Sequence, residues 1–185
     1  MRKPIIVGNW KMNLTHLEAI ALVQKLSYRL EREVFDACEV VVSPPFTSLR
    51  SVQTTIDSDK MEISLGAQNL SEHEKGAFTG EVSAAMLAKL TVRYVLVGHS
   101  ERRTHCNETN DQTAEKIKLA RKFEMTPILC VGETREQREA GESNLVVESQ
   151  VREGLSKIAK TDIENCIIAY EPVWAIGAGQ PATIE

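Results

Sequence analysis

Six short apolar runs, separated by stretches with helical spacing, constrain the fold of this 185-residue chain most strongly. Each run has three or four residues, which is typical of strands buried on both faces. The runs are residues 5–7, 40–42, 63–65, 94–97, 128–131 and 167–169. Because strands that alternate with helices form βα units, the sequence predicts an α/β fold with a parallel sheet of about six strands.

The segments between the runs carry helix signals. Apolar residues recur at helical spacing over residues 14–30, including Leu17 and Ala21, and again over residues 117–123. Ser100 is predicted to cap one helix, and Glu133 to open another with its carboxylate in the first turn. No Pro-, Gly- or Ser-rich linker divides the chain, so residues 1–185 are predicted to form one domain.

The segment from residue 133 to residue 160 is highly charged. Its charges, at Glu136, Arg138, Glu139, Glu142 and Glu153, are expected to face water, with a turn at Gly141.

Composition excludes several classes of protein. With 22 basic and 26 acidic residues, the formal charge of −4 gives no indication of a nucleic-acid partner. The four cysteines are widely spaced and are expected to be reduced thiols rather than metal ligands. No apolar run approaches the length of a membrane span or a signal peptide, so we expect a cytoplasmic protein without membrane contact.

Polar residues follow three of the predicted strands, where functional groups of parallel α/β folds gather. Asn9 and Lys11 follow the first strand, His99 the fourth and Glu171 the sixth. Each has an ordinary alternative, namely a solvated lysine, a structural histidine, or a carboxylate paired with an arginine. Their shared position instead predicts a site in which Lys11 attracts an anion, Asn9 and neutral His99 donate hydrogen bonds, and Glu171 is a general base.

A stretch of small residues after Glu171 is predicted to form a lid. Pro172 fixes the backbone, and residues 175–179 include two glycines. Closure of Ile176 over the carboxylate would exclude water and raise the proton affinity of Glu171, while the Gly177 N–H would bind a phosphate. The remaining histidines, at positions 16, 73 and 105, are expected to be surface residues.

Six ordered segments together resemble the triosephosphate isomerases. They are residues 8–13, 66–69, 76–81, 98–103, 130–133 and 170–177, and the resemblance runs from residue 4 to the end of the chain. It implies that dihydroxyacetone phosphate and glyceraldehyde 3-phosphate are interconverted through an enediolate, without cofactor or metal. The fold would be an incomplete (β/α)8 barrel, open where strands seven and eight would be.

The resemblance also implies residue roles. Glu171 would abstract the carbon-bound proton, His99 would polarise the carbonyl, and Asn9 and Lys11 would stabilise the oxyanion, with Gly177 on the phosphate. Three further residues would contact the catalytic side chains without touching the substrate, namely Ser100, Glu101 and Cys130. Thr79 and Glu81 would contact the second subunit of a homodimer.

The chain departs from the resemblance in two respects. Ala178, Gln180 and Pro181 replace the usual lid residues, which is expected to alter the rates of lid closure. A barrel of this type takes about 250 residues, so a chain that supplies the remaining βα units, or a second copy, is the expected partner. Two alternatives remain open. One is a catalytically silent assembly module, and the other is an α/β phosphate-binding protein whose open sheet is closed in another way.

Overall fold

The computed structural model describes residues 3–176, and its strands coincide with the six apolar runs. They are β1 Ile5–Asn9, β2 Glu39–Ser43, β3 Ile63–Ala67, β4 Tyr94–Val97, β5 Thr126–Val131 and β6 Ile167–Tyr170. Their order in the sheet is the order of the chain, with β1 and β6 as its two ends. Pairing is parallel between β1 and β2, β2 and β3, β3 and β4, and β5 and β6. This topology confirms the predicted α/β fold class of an incomplete barrel.

Helices occupy the connections between the strands. They are α1 His16–Arg29, α2 Arg32–Ala37, α3 Phe46–Ser58, α4 Ala84–Lys89, α5 Ser100–His105, α6 Asn110–Lys122, α7 Arg135–Glu139 and α8 Ser143–Gly154. Two 3₁₀ turns, Lys160–Asn165 and Val173–Ala175, flank β6. Over residues 3–176, none of these helices has the length and apolarity that crossing a membrane requires.

The chain divides into two compact units. One contains Met1–Val95 with Phe123–Met125, and the other contains Leu96–Lys122 and the residues from Thr126 onward. The prediction of a single domain stays a prediction.

In the first unit, α1 and α3 pack against each other beside the strands β1 to β3. The core includes Val41 and Val52, which are almost completely buried. The predicted apolar face of α1 is wrong in detail: Leu17 is 66% exposed, and Ala19 and Val23 are buried instead. Small and β-branched side chains four residues apart allow close helix packing, whereas the larger leucine remains outside.

In the second unit, α6 packs against β5 and α8. Its predicted apolar positions Ile117, Leu119 and Ala120 are buried, as expected. Gly141 forms the predicted turn between α7 and α8, with a φ of +74° that favours glycine. The five predicted surface charges of this segment are exposed.

Both predicted helix starts are wrong. His99, not Ser100, is the N-cap of α5, because its imidazole accepts the hydrogen bond expected of a hydroxyl. Thr134 caps α7, with a reciprocal bond to Gln137, while Glu133 lies before the helix and is fully buried. Glu133 therefore does not cap the helix that follows it, and its hydrogen-bond partners are described below.

Candidate active site

His99 follows β4 and uses its two ring nitrogens in different ways. Nδ1 accepts a hydrogen bond from the Glu101 N–H at 3.2 Å, and the Glu101 carboxylate lies 3.8 Å from the same nitrogen, beyond hydrogen-bond length. Nε2 lies 3.0 Å from Oε1 of Glu171. Because Nδ1 must keep its lone pair to accept from the backbone, Nε2 carries the proton and donates it to the carboxylate.

Glu171 follows β6 and is held by both its main chain and its side chain. Its N–H donates to the Val131 carbonyl at 2.7 Å, and its Oε2 accepts from the Ser100 N–H at 3.1 Å. Burial raises the pKa of this carboxyl group, but the hydrogen bonds from His99 and Ser100 outweigh burial and lower the pKa below its ordinary value. In this arrangement Glu171 is an ionised carboxylate.

The predicted rise in the proton affinity of Glu171 applies only when the lid is closed. Gly177, together with Ala178, Gln180 and Pro181, lies outside the described residues, so the effect of closure stays a prediction.

Cys130 lies on β5, almost completely buried. Burial, together with the negative charge of Glu171, raises the pKa of its thiol far above the ordinary value. Cys130 is therefore a neutral group beside the carboxylate, and it is not a nucleophile at neutral pH. All four cysteines, each within the described part of the chain, are free thiols.

Asn9 and Lys11 belong to the first unit, at the end of β1. The Lys11 N–H donates to Oδ1 of Asn9 at 3.0 Å, so the amide of Asn9 is oriented by the turn that follows it. The Lys11 carbonyl accepts from Nε2 of Gln68 at 2.8 Å, and the same nitrogen donates to Ser43 at 2.8 Å. Lys11 has a φ of +53°, a left-handed conformation that is uncommon for a non-glycine residue.

The sequence-predicted residues fall into two groups. His99, Ser100, Glu101, Cys130 and Glu171 are brought together in the second unit by β4, β5 and β6. Asn9 and Lys11 lie together in the first unit.

Thr79 and Glu81 are exposed in the connection between β3 and α4 of the first unit. Near them, the rings of His73 and Phe78 stack with centroids 3.7 Å apart. His73 is exposed, as are His16 and His105, which confirms their predicted surface positions.

Comparison with known proteins identifies the family. The family model for triosephosphate isomerase matches residues 4–185. This chain belongs to the triosephosphate isomerase family. The triosephosphate isomerase of Mycobacterium avium is 54% identical over 182 residues, which are 98% of this chain and 70% of that protein. The triosephosphate isomerase of Corynebacterium glutamicum is 52% identical over the same shares, and that of Streptomyces avermitilis is 53% identical over 97% of this chain and 69% of that protein.

In this triosephosphate isomerase family chain, Arg103 has a structural role that was not predicted from the sequence. Its guanidinium donates to the Gly98 carbonyl at 2.7 Å and to the Cys130 carbonyl at 3.5 Å, and so joins the residues that end β4 and β5. It also donates to Asn110 at 2.6 Å. Burial lowers the pKa of Arg103 despite the nearby carboxylate of Glu108. The only signal in the sequence was its place beside His99 in residues 98–103.

Glu133 is the second residue that the family resemblance left without a role. Its carboxylate accepts hydrogen bonds from the Tyr170 hydroxyl at 3.0 Å and from Nε1 of Trp174 at 2.9 Å. Burial raises its pKa, but these hydrogen bonds and one from Arg138 lower it further than burial raises it. Glu133 therefore ties both sides of Glu171 to the end of β5. The available signal in the sequence was an acidic residue two positions after an apolar strand.

Proposed function

We propose that this chain is a triosephosphate isomerase that interconverts dihydroxyacetone phosphate and glyceraldehyde 3-phosphate by proton transfer. The observation that carries the proposal is the pairing of His99 Nε2 with Glu171 Oε1 at 3.0 Å, with Nδ1 of His99 engaged by a backbone N–H. An ionised carboxylate beside a neutral donor provides the two groups that remove a proton from carbon and polarise the adjacent carbonyl. Membership of the triosephosphate isomerase family supports the substrate.

In the proposed reaction, Glu171 removes a proton from the carbon next to the substrate carbonyl. The carboxylate exchanges its hydrogen bonds with Ser100 and His99 for contact with the substrate, which requires a change of side-chain rotamer. His99 then donates its Nε2 proton to the carbonyl oxygen as negative charge develops there. Glu171 then gives its proton to the neighbouring carbon, and His99 takes the hydroxyl proton from the oxygen of the first carbon, so both side chains are restored and the reaction is an isomerisation.

Asn9 and Lys11 are proposed to stabilise the anionic substrate. The ammonium of Lys11 supplies positive charge, and the amide of Asn9, held by the Lys11 N–H, supplies a neutral donor. Gly177 is proposed to donate its N–H to the phosphate. Ser100, Glu101 and Cys130 support Glu171 and His99 in this scheme, which uses neither a cofactor nor a metal.

The assembly and location follow the family. We propose a cytoplasmic homodimer that contacts its second subunit through Thr79 and Glu81, which are exposed in the isolated chain. An assembly module is the second candidate, because β1 and β6 end the strand order and each exposes an apolar residue, with Ile6 59% and Ile168 44% exposed.

A coupled assay of purified chain tests the proposed activity. Turnover of either triose phosphate is expected, and Glu171→Gln should reduce kcat by about 10²–10⁴-fold because it removes the base. Glu148→Gln is the matched control, since Glu148 is exposed on α8 and pairs only with Arg152 among its described contacts.

The assay is repeated with the part of the Mycobacterium avium relative that lies outside the match added to the chain. Turnover in either mixture that disappears with Glu171→Gln supports the isomerase. Absence of turnover in both mixtures would contradict it and favour the assembly module.

A further inference from the structure

Gln150 makes two hydrogen bonds to a single residue 18 positions away. Its Oε1 accepts from the Gly132 N–H at 2.8 Å, and its Nε2 donates to the Gly132 carbonyl at 3.2 Å. Gln150 lies on α8, and Gly132 directly follows β5. The carboxamide thus pairs with both polar groups of one backbone residue, as a neighbouring strand would.

Gly132 in turn lies against the main chain of Glu171. A Cβ at this position would be 1.8 Å from the Glu171 carbonyl oxygen and 2.8 Å from its carbonyl carbon. No side chain fits there, so the backbones of Gly132 and Glu171 are in close contact and neither can shift toward the other. The residue before Gly132 reinforces the contact, because Val131 accepts from the Glu171 N–H.

We propose that Gln150 is a positioning residue that fixes the main chain of Glu171 through Gly132. The inference rests on the proposed function, in which Glu171 is the base. Gln150 touches neither the carboxylate nor His99 by any described hydrogen bond, and it acts by holding the surface on which Glu171 sits. Since misplacing a catalytic group by about 1 Å can cost about 10²-fold in rate, such a support affects kcat more than KM.

A cavity of about 460 Å³ adjoins Gln150, and its lining includes Gln137 and Ser149. Because water can enter this cavity, we expect a variant without the carboxamide to fold with a loosened turn at Gly132.

Gln150→Met tests the proposal because methionine has a similar length but makes neither hydrogen bond. We expect kcat to fall about tenfold, with KM changed by less than about twofold. Gln150→Glu keeps the acceptor for the Gly132 N–H and should lose less. Ser149→Ala is the control, since it removes a hydroxyl that bonds to Glu153 on the same helix and should leave kcat unchanged.

A second readout does not depend on turnover. The Glu171 carboxylate is titrated by carbon NMR and assigned by its absence in Glu171→Gln. In folded Gln150→Met its pKa should rise, because the bonds from His99 and Ser100 that lower it are weakened. The Ser149→Ala titration should match the wild type. If the wild type shows no isomerase activity, the proposed function fails, while this titration still decides the role of Gln150.

Gly132→Ala changes the contact with Glu171 at Gly132 itself rather than through Gln150. The added methyl group must displace the Glu171 main chain, so kcat should fall at least as far as in Gln150→Met. Gly141→Ala is the matched control: nothing lies within 4 Å of its Cβ, and the substitution should lower stability through the +74° φ without lowering kcat.

The proposal is overturned if Gln150→Met folds, as judged by circular dichroism, and retains both the wild-type kcat and the wild-type Glu171 titration. If Gln150→Met does not fold, Gln150→Glu decides by the same two measurements.

Discussion

His99 combines two hydrogen bonds that set each other's direction. Because Nδ1 accepts from the Glu101 N–H, only Nε2 can donate, and Glu171 lies 3.0 Å from it. A helix start also disfavours a positive charge on the ring. The hydrogen bond that caps α5 therefore determines which nitrogen of His99 donates. A side chain with an N–H group but without this cap would not have its donor fixed in the same way.

The depressed pKa of Glu171 predicts a stability that depends on pH. A carboxyl group with a folded-state pKa below its ordinary value of 4.5 stabilises the fold above that value, and the contribution is lost as the pH falls through the folded-state pKa. The free energy of unfolding of the wild type should therefore approach that of Glu171→Gln between about pH 5 and about pH 2. Urea titrations at several pH values measure this difference, and a constant gap would contradict the prediction.

At the residue scale, side chains that directly follow strands were predictable, whereas those that hold the surrounding backbone, Arg103 and Gln150, were not. His99 and Glu171 were recognisable because a polar residue after a buried strand is unusual. Arg103 and Gln150 act on backbone carbonyls and N–H groups, and such partners depend on how helices pack, which local sequence does not specify. The cap of α5 was misassigned because serine is a much commoner cap than histidine.

Between α5 and α6, Glu108 joins two cations in the interior. Its side chain is 1% exposed, and its Oε2 lies 2.5 Å from both Nε of Arg102 and Nζ of Lys116. Its Oε1 accepts from the Gly98 N–H at 2.9 Å. Burial raises the pKa of Glu108, but Lys116 and Arg102 lower it by more. One carboxylate thus connects the turn after β4 to both helices.

Glu108→Gln is expected to lower the free energy of unfolding by about 3–5 kcal/mol, because it leaves Arg102 and Lys116 without their shared counter-charge. Glu115→Gln on α6 is the control, since its carboxylate pairs with Lys118 and Lys157 at the surface and should cost less than about 1 kcal/mol. Denaturant unfolding of both variants compares the costs, and equal values would contradict the assignment.

Elements were predictable where one physical signal dominates. Short apolar runs are typical of buried strands, so the strands were located to within about two residues, a normal uncertainty for element boundaries. The expected burial on both faces is wrong for β1 and β6, where Ile6 and Ile168 are exposed at the two ends of the strand order. The buried face of α1 was not predictable, because its apolar residues lie on more than one side. Packing against α3 selects Ala19 and Val23 and leaves Leu17 exposed.

For the whole molecule, the proposed homodimer predicts self-association through the exposed segment around Thr79. Light scattering of the purified chain should give the mass of two protomers. Thr79→Arg should give one protomer, because a buried guanidinium without a partner opposes association. Thr54→Arg is the control, since Thr54 is exposed on α3. A single-protomer mass for the wild type would contradict the homodimer.

The left-handed backbone of Lys11 has a thermodynamic consequence. A non-glycine residue in that region costs of order 1 kcal/mol or more, which glycine would not incur. Folding alone would thus prefer glycine at this turn, yet the chain has its ammonium there. If Lys11 binds the anionic substrate as proposed, the chain gives up conformational stability at this turn for that role. Selection for thermostability alone should then act against Lys11, unless activity is selected at the same time.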